Sequence, residues 1–129
     1  MPAIDLVDET FIAAAPAAIA EIVSDPHRWA EWWPDFSLRV FMDRGSKGIR
    51  WSVSGTFVGS TEIWIEPVLD GAVLHYYLRV DPPDGTPLGR RDVNRARSAR
   101  AKAWKAIVWR LKDELEGSRA PGTGASRSG

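Results

Sequence analysis

Pro26-His27-Arg28-Trp29-Ala30-Glu31-Trp32-Trp33-Pro34-Asp35-Phe36 places three of the seven tryptophans within five residues and closes on a proline. Such a cluster buries a large apolar area and brings indole N–H groups that need partners. Upstream, Pro16 suits the first turn of a helix. Ala17 to Ser24 carries Ile19, Ile22 and Val23 near helical spacing, and Asp25-Pro26 stops it. Residues 27–33 then predict a second short helix, ended by Pro34. A helix hides about half its circumference, so one of Trp32 and Trp33 is expected to face outward or toward an opening.

The flanking segments give the element order. Ile4 to Ile12 predicts a first strand, with Leu6, Thr10 and Ile12 on one side and Asp5, Val7 and Glu9 on the other. After the tryptophan cluster, four strand-like runs follow: Leu38–Met42, Ile49–Ser54, Phe57–Glu66 with Gly59 a candidate bulge, and Val73–Val80 after the hairpin signal Asp70-Gly71. Pro82 to Pro87 predicts a rigid loop, and residues 88–116 one long helix. The Gly/Ser/Arg-rich stretch 117–129 predicts a disordered tail. The expected fold class is therefore α+β: about five antiparallel strands, two short helices, and a long C-terminal helix that covers the apolar face of the sheet, all within one domain over residues 1–116.

Alternation in the strands separates the two faces. Leu38, Val40, Met42, Ile49, Trp51, Val53, Ile63, Ile65, Leu74, Tyr76, Leu78 and Val80 form the inward set. Arg39, Arg50, Ser52, Ser54, Glu62, Glu66, His75, Tyr77 and Arg79 form a solvated face, on which Glu62 and Arg79 are placed to pair. Phe41, Trp64 and Val73 fall on that face without an explanation. The long helix reads inward at Val93, Ala96, Arg100, Trp104, Ile107, Val108, Leu111 and Leu115.

Composition narrows the function classes. Seventeen basic and seventeen acidic residues cancel, which argues against a dedicated nucleic-acid or membrane-surface binder. The cations of residues 90–105 are expected to form a solvated helix face. Without cysteine there is no disulfide, thiol nucleophile or thiolate metal site. His27 and His75 lack a third partner, so no metal and no cofactor are expected. No apolar run approaches the ~20 residues of a membrane span, and a cytoplasmic location is expected.

The run Phe11-Ile12-Ala13-Ala14-Ala15-Pro16-Ala17-Ala18-Ile19, the segment Ser24 to Pro34, the hairpin Ile63 to Leu74 and the long helix together resemble the START-like superfamily, the helix-grip or polyketide cyclase/dehydrase group. The resemblance spans residues 4–116. It implies a curved antiparallel sheet gripping a C-terminal helix with a cavity between them, in proteins that bind lipids, sterols, polyketides or hormones. Some members are aromatases or cyclases. The family usually has seven strands and five are counted here, so a smaller sheet and a shallower or more open cavity are expected.

Seven residues are candidates for the site. Trp51 and Tyr76 bring polar tips to an apolar face and can orient a ligand, or can bond backbone carbonyls within the core. Arg100 interrupts the inward stripe; its guanidinium can bind a ligand carboxylate or enolate, or its stem can pack while its head stays wet. Trp104 reads as core or ligand platform. Trp29, Trp32 and Trp33 read as a gate to the cavity or as a cap on the sheet end. Asp8 shares the parity of Leu6 and Thr10 and is either a buried acid or, as such residues more often are, wet near a strand edge. The leading expectation is binding of a small hydrophobic or aromatic ligand, lipid or polyketide-like. A cyclase, aromatase or dehydratase using Arg100 and Tyr76, and an interaction module with a collapsed cavity, are the alternatives.

Overall fold

The computed structural model describes residues 2–83 and 87–117; the expected tail from 118 onward and part of the expected proline-rich loop lie outside the described residues. Strand β1 (Ile4–Ile12) leads into α1 (Pro16–Val23) and α2 (Pro26–Trp32). Then come β2 (Phe36–Asp43), a 3-10 turn (Gly45–Lys47), β3 (Gly48–Gly55), β4 (Val58–Val68), β5 (Gly71–Asp81) and α3 (Arg90–Glu116). The strands form one antiparallel sheet in the order β1-β5-β4-β3-β2, so the first strand closes against the last.

Local chemistry sets the boundaries. Pro16 and Pro26 sit in the first turns of α1 and α2, where a missing N–H costs nothing. The Asp25 carboxylate caps α2 by accepting from the His27 backbone N–H at 2.9 Å. Gly59 makes no bulge: it pairs in register with Val53 and Val80, and its φ of +156° serves a close approach, since a Cβ there would collide with the Arg79 carbonyl. The register shift falls instead in β2, between Val40 and Met42. It turns Met42 to the face of its partner Arg50, against the alternation expected from sequence, and leaves Phe41 under the Arg50 guanidinium at 5.3 Å.

The β4–β5 hairpin turns on Leu69 and Asp70. Leu69 has φ +53° and is 97 % exposed, a conformation that L-residues other than Asn and Asp adopt at a cost. Leu69→Asn is expected to raise the unfolding free energy by about 0.5–1 kcal/mol, read as a higher urea midpoint at unchanged slope. An unchanged midpoint would show that the turn carries no such strain.

The inner face is covered by α3, whose Trp104, Ile107, Val108 and Leu111 are buried while Val93, Ala96, Arg100 and Leu115 are partly so. Polar contacts hold the C-terminal half of that helix. Lys112 Nζ donates to the Phe11 carbonyl at 2.8 Å, Glu116 accepts from the Ala13 N–H at 2.6 Å, and Arg28 meets Glu114 through both guanidinium nitrogens at 2.6 and 3.1 Å.

The outer face differs from expectation in two ways. Glu62 and Arg79 lie on a diagonal and do not pair: Glu62 faces Arg44 at 3.6 Å and Arg79 faces Asp5 at 3.5 Å. His75 is not solvated but only 6 % exposed. Trp64 stacks on its ring at 4.3 Å, and its two nitrogens face Glu9 at 3.1 Å and Glu66 at 2.9 Å. Trp64 is thus accounted for as the lid on that imidazole.

Candidate functional site

The six aromatic rings nominated from the sequence converge between the sheet and α3. Trp51 comes from β3, Tyr76 from β5, Trp104 from α3, and Trp29, Trp32 and Trp33 from α2 and its end. Tyr76 and Trp104 stack nearly parallel at 4.0 Å, and Trp33 lies parallel to both at 6.3 Å. Trp29 and Trp33 meet Trp51 edge-on at 5.1 and 5.2 Å, and Trp32 meets Trp33 and Trp104 edge-on at 5.6 and 6.3 Å. Offset and edge-to-face contacts of this kind are the favoured ones, each worth about 0.5–1.5 kcal/mol beyond burial.

Trp32 and Trp33 are both buried, although consecutive residues of one helix point some 100° apart. The helix ends at Trp32, and Trp33 is its C-cap with φ −133° and ψ 67°. Leaving helical geometry frees the Trp33 side chain to turn inward beside Trp32. Its backbone leads straight into a turn at Pro34-Asp35, so the ring stands on an irregular segment.

The centre of the grip is closely packed. A side chain lining a water-sized void keeps accessible surface, yet Trp51 keeps 0 %, Tyr76 and Trp104 2 %, and Trp33 3 %. The polar tips are disposed as follows. Trp104 Nε1 donates to Asp8 at 3.2 Å, and Asp8 also accepts from Thr10 at 3.0 Å and meets Lys105 at 2.8 Å, so the acid suspected from strand parity is part-buried and paired. Trp29 Nε1 donates to the Val23 carbonyl at 2.6 Å, tying α2 to the end of α1. Burial pushes the Tyr76 phenol above its ordinary range, and the polar groups of Thr61 and Trp33 partly offset that. Thr61, itself buried, donates to the Tyr77 carbonyl at 2.8 Å and was not singled out in the sequence. A lone threonine at an inward strand position is the signal that could have found it. Trp51 Nε1 has no partner.

Arg100 lies at the rim of this cluster and is engaged. Its guanidinium forms a two-pronged ion pair with Asp35 and lies over Phe36 at 4.5 Å and Phe57 at 5.4 Å. Asp35 follows Trp33 by two residues, so the pair latches α3 to the segment that carries the Trp33 ring. The hydrogen bonds from Arg100 hold the Asp35 carboxyl below its usual value against the opposing effect of burial, with help from Thr56. A depressed carboxylate pKa contributes stability that is present above the unfolded value of about 3.9 and is lost as pH falls through the lower folded value. Asp35→Asn is therefore expected to cost about 1 kcal/mol at pH 7, the low figure reflecting partial exposure. In urea titrations the gap from wild type should shrink below about pH 4. A gap that stays constant down to pH 2 would remove the ion pair as its cause.

Among the described residues, no group of three or more His, Asp or Glu side chains is placed to hold a metal ion. No described helix is long and apolar enough to cross a membrane.

Solved structures share this architecture. The Aha1 dimer from Colwellia psychrerythraea aligns with a TM-score of 0.63 at 15% identity, over 91% of this chain and 99% of that one. A START superfamily protein from Mycobacterium smegmatis aligns at 0.58 and 16% identity, over 89% and 99%. A Polyketide_cyc-like protein from Corynebacterium glutamicum aligns at 0.56 and 20% identity, over 89% and 95%. No protein-family model and no curated protein matches the sequence. The chain has the START-like helix-grip fold, reduced to five strands among the described residues.

Proposed function

We propose that the protein binds a small, flat hydrophobic or aromatic molecule, lipid or polyketide-like in character, between the sheet and α3. The observation that carries this reading is the concentration of six aromatic rings there, one of which, Trp33, stands on an irregular segment rather than on a helix or strand. Tyr76 and Trp104 form a stacked wall, Trp51 the floor, and Trp29 and Trp32 the flanks. A ligand takes the place of the Trp33 ring, which swings out when the Arg100–Asp35 latch releases. Apolar burial supplies affinity at about 25 cal/mol per Å², less the cost of association and of exposing Trp33. The absence of cysteine suits a cytoplasmic setting.

Binding is favoured over cyclase-type catalysis because the two groups nominated for catalysis are held without a substrate, Arg100 by Asp35 at the rim and Tyr76 buried in the aromatic stack. The packed centre favours one other reading, an interaction module that takes no small ligand. Titration with planar two- and three-ring aromatics, followed by Trp fluorescence and by the indole N–H resonances, separates the two. A ligand should quench emission and move the Trp33 and Trp51 signals. No quenching and no shift across the series would overturn the binding reading and leave the interaction module.

A further inference from the structure

Trp51 Nε1 is the one buried side-chain nitrogen or oxygen among the described residues left without a hydrogen-bond partner. Its neighbours make the contrast sharp. The Trp29 indole has the Val23 carbonyl and the Trp104 indole has Asp8. Trp51 is fully buried, so bulk water does not reach its N–H. A buried donor without an acceptor is costly, and native proteins retain very few of them. On β3 the residue stands opposite Val40 and Thr61, with Trp29 and Trp33 closing over its ring. A phenylalanine would fill most of the same space without the penalty. The donor makes chemical sense when something that enters the cluster brings an acceptor.

We infer that Trp51 is the specificity-determining residue of the site and that the ligand class is a planar aromatic carrying a neutral acceptor, a ketone, quinone, ester or ether oxygen, which takes the Trp51 indole N–H. The inference rests on the binding reading above. The acceptor is neutral because a carboxylate at a fully buried position loses its hydration for a single uncharged donor. An acceptor-free ligand of the same shape still gains apolar contact but leaves the N–H unmet, and a site built round a donor rejects such analogues.

Two probes of nearly equal shape test this: 2-acetylnaphthalene, which has the carbonyl, and 2-ethylnaphthalene, which lacks it. Wild-type protein should bind the acetyl compound about tenfold or more tightly, the range expected for one buried hydrogen bond. Trp51→Phe should fold, the smaller ring's lost packing being offset in part by removal of the unmet N–H, and bind the two probes alike. In wild-type protein, one indole N–H resonance should move downfield with the acetyl probe and not with the ethyl probe, a readout that stands even where the variant fails to fold. Equal affinity of wild-type protein for both probes, with no downfield shift, overturns the role of Trp51 while leaving the binding site intact. Failure of both probes to bind overturns the site and this inference together.

Discussion

Trp104→Ala is expected to lower the unfolding free energy by about 3–5 kcal/mol, the range for removing a fully buried tryptophan. The ring is 2 % exposed and stacks on Tyr76 at 4.0 Å, with Trp33 parallel beyond it and Trp32 edge-on. Its loss removes the main aromatic contact between α3 and the sheet and also withdraws the indole donor from Asp8. Thr10 and Lys105 still serve that carboxylate, so the damage is chiefly apolar. Trp104→Phe, which restores a ring without the N–H, is expected to recover more than half of the loss. Domains of this size have a total stability of about 5–15 kcal/mol, so the alanine variant should unfold at a much lower urea concentration. A cost below about 1 kcal/mol would mean that the stack does not hold the helix on the sheet.

Much of this architecture was legible in the sequence because it depends on short-range pattern. Strand alternation set the two faces. The 3.6-residue period picked out the four buried side chains of α3 and Arg100 in the middle of the stripe, but not Ala101, which packs on the core, or Lys105 and Lys112, which reach β1. Pro16, Pro26 and Pro34 marked helix edges through the local geometry of proline, while strand parity left Asp8 open between a buried acid and a wet edge residue. What escaped depends on contacts remote in the chain or on one-residue shifts of the backbone. The partner of Arg100 is 65 positions away, and no spacing rule joins them. The shift between Val40 and Met42 flips Met42 to the outer face, because a period of two reverses with one extra residue. His75 was assigned to the right face, but its burial comes from Trp64 and two glutamates on neighbouring strands. The burial of Trp33 follows from the helix ending one residue sooner than expected, and single-residue differences at helix ends are the hardest to read.

That last difference is where fold and function meet, and Trp33→Ala tests it. The variant is expected to lose about 3 kcal/mol or more, since the ring contacts Trp32, Trp51, Tyr76 and Trp104. Loss of stability alone does not tell a cap from a gate, so the informative step is rescue. Removing the indole leaves an apolar hole walled by Tyr76, Trp104 and Trp51, and dry apolar cavities of that kind take up small aromatic molecules. Free indole should therefore raise the melting temperature of Trp33→Ala, by about 2.7 kcal/mol of stabilisation at a hundredfold excess over its dissociation constant, and stabilise wild-type protein less, since there it has to displace a ring. Trp109→Ala is the control: that ring is exposed on the outer side of α3, and its removal should create no indole site. If Trp33 is the plug of a binding site, the variant should bind planar aromatics more tightly than wild type, because the ligand no longer has to displace a tryptophan. Rescue by itself fits any dry cavity; the plug is told apart by wild-type protein binding the same planar aromatics, more weakly than the variant, whereas a wild type that binds none of them would return the whole cluster to the hydrophobic core.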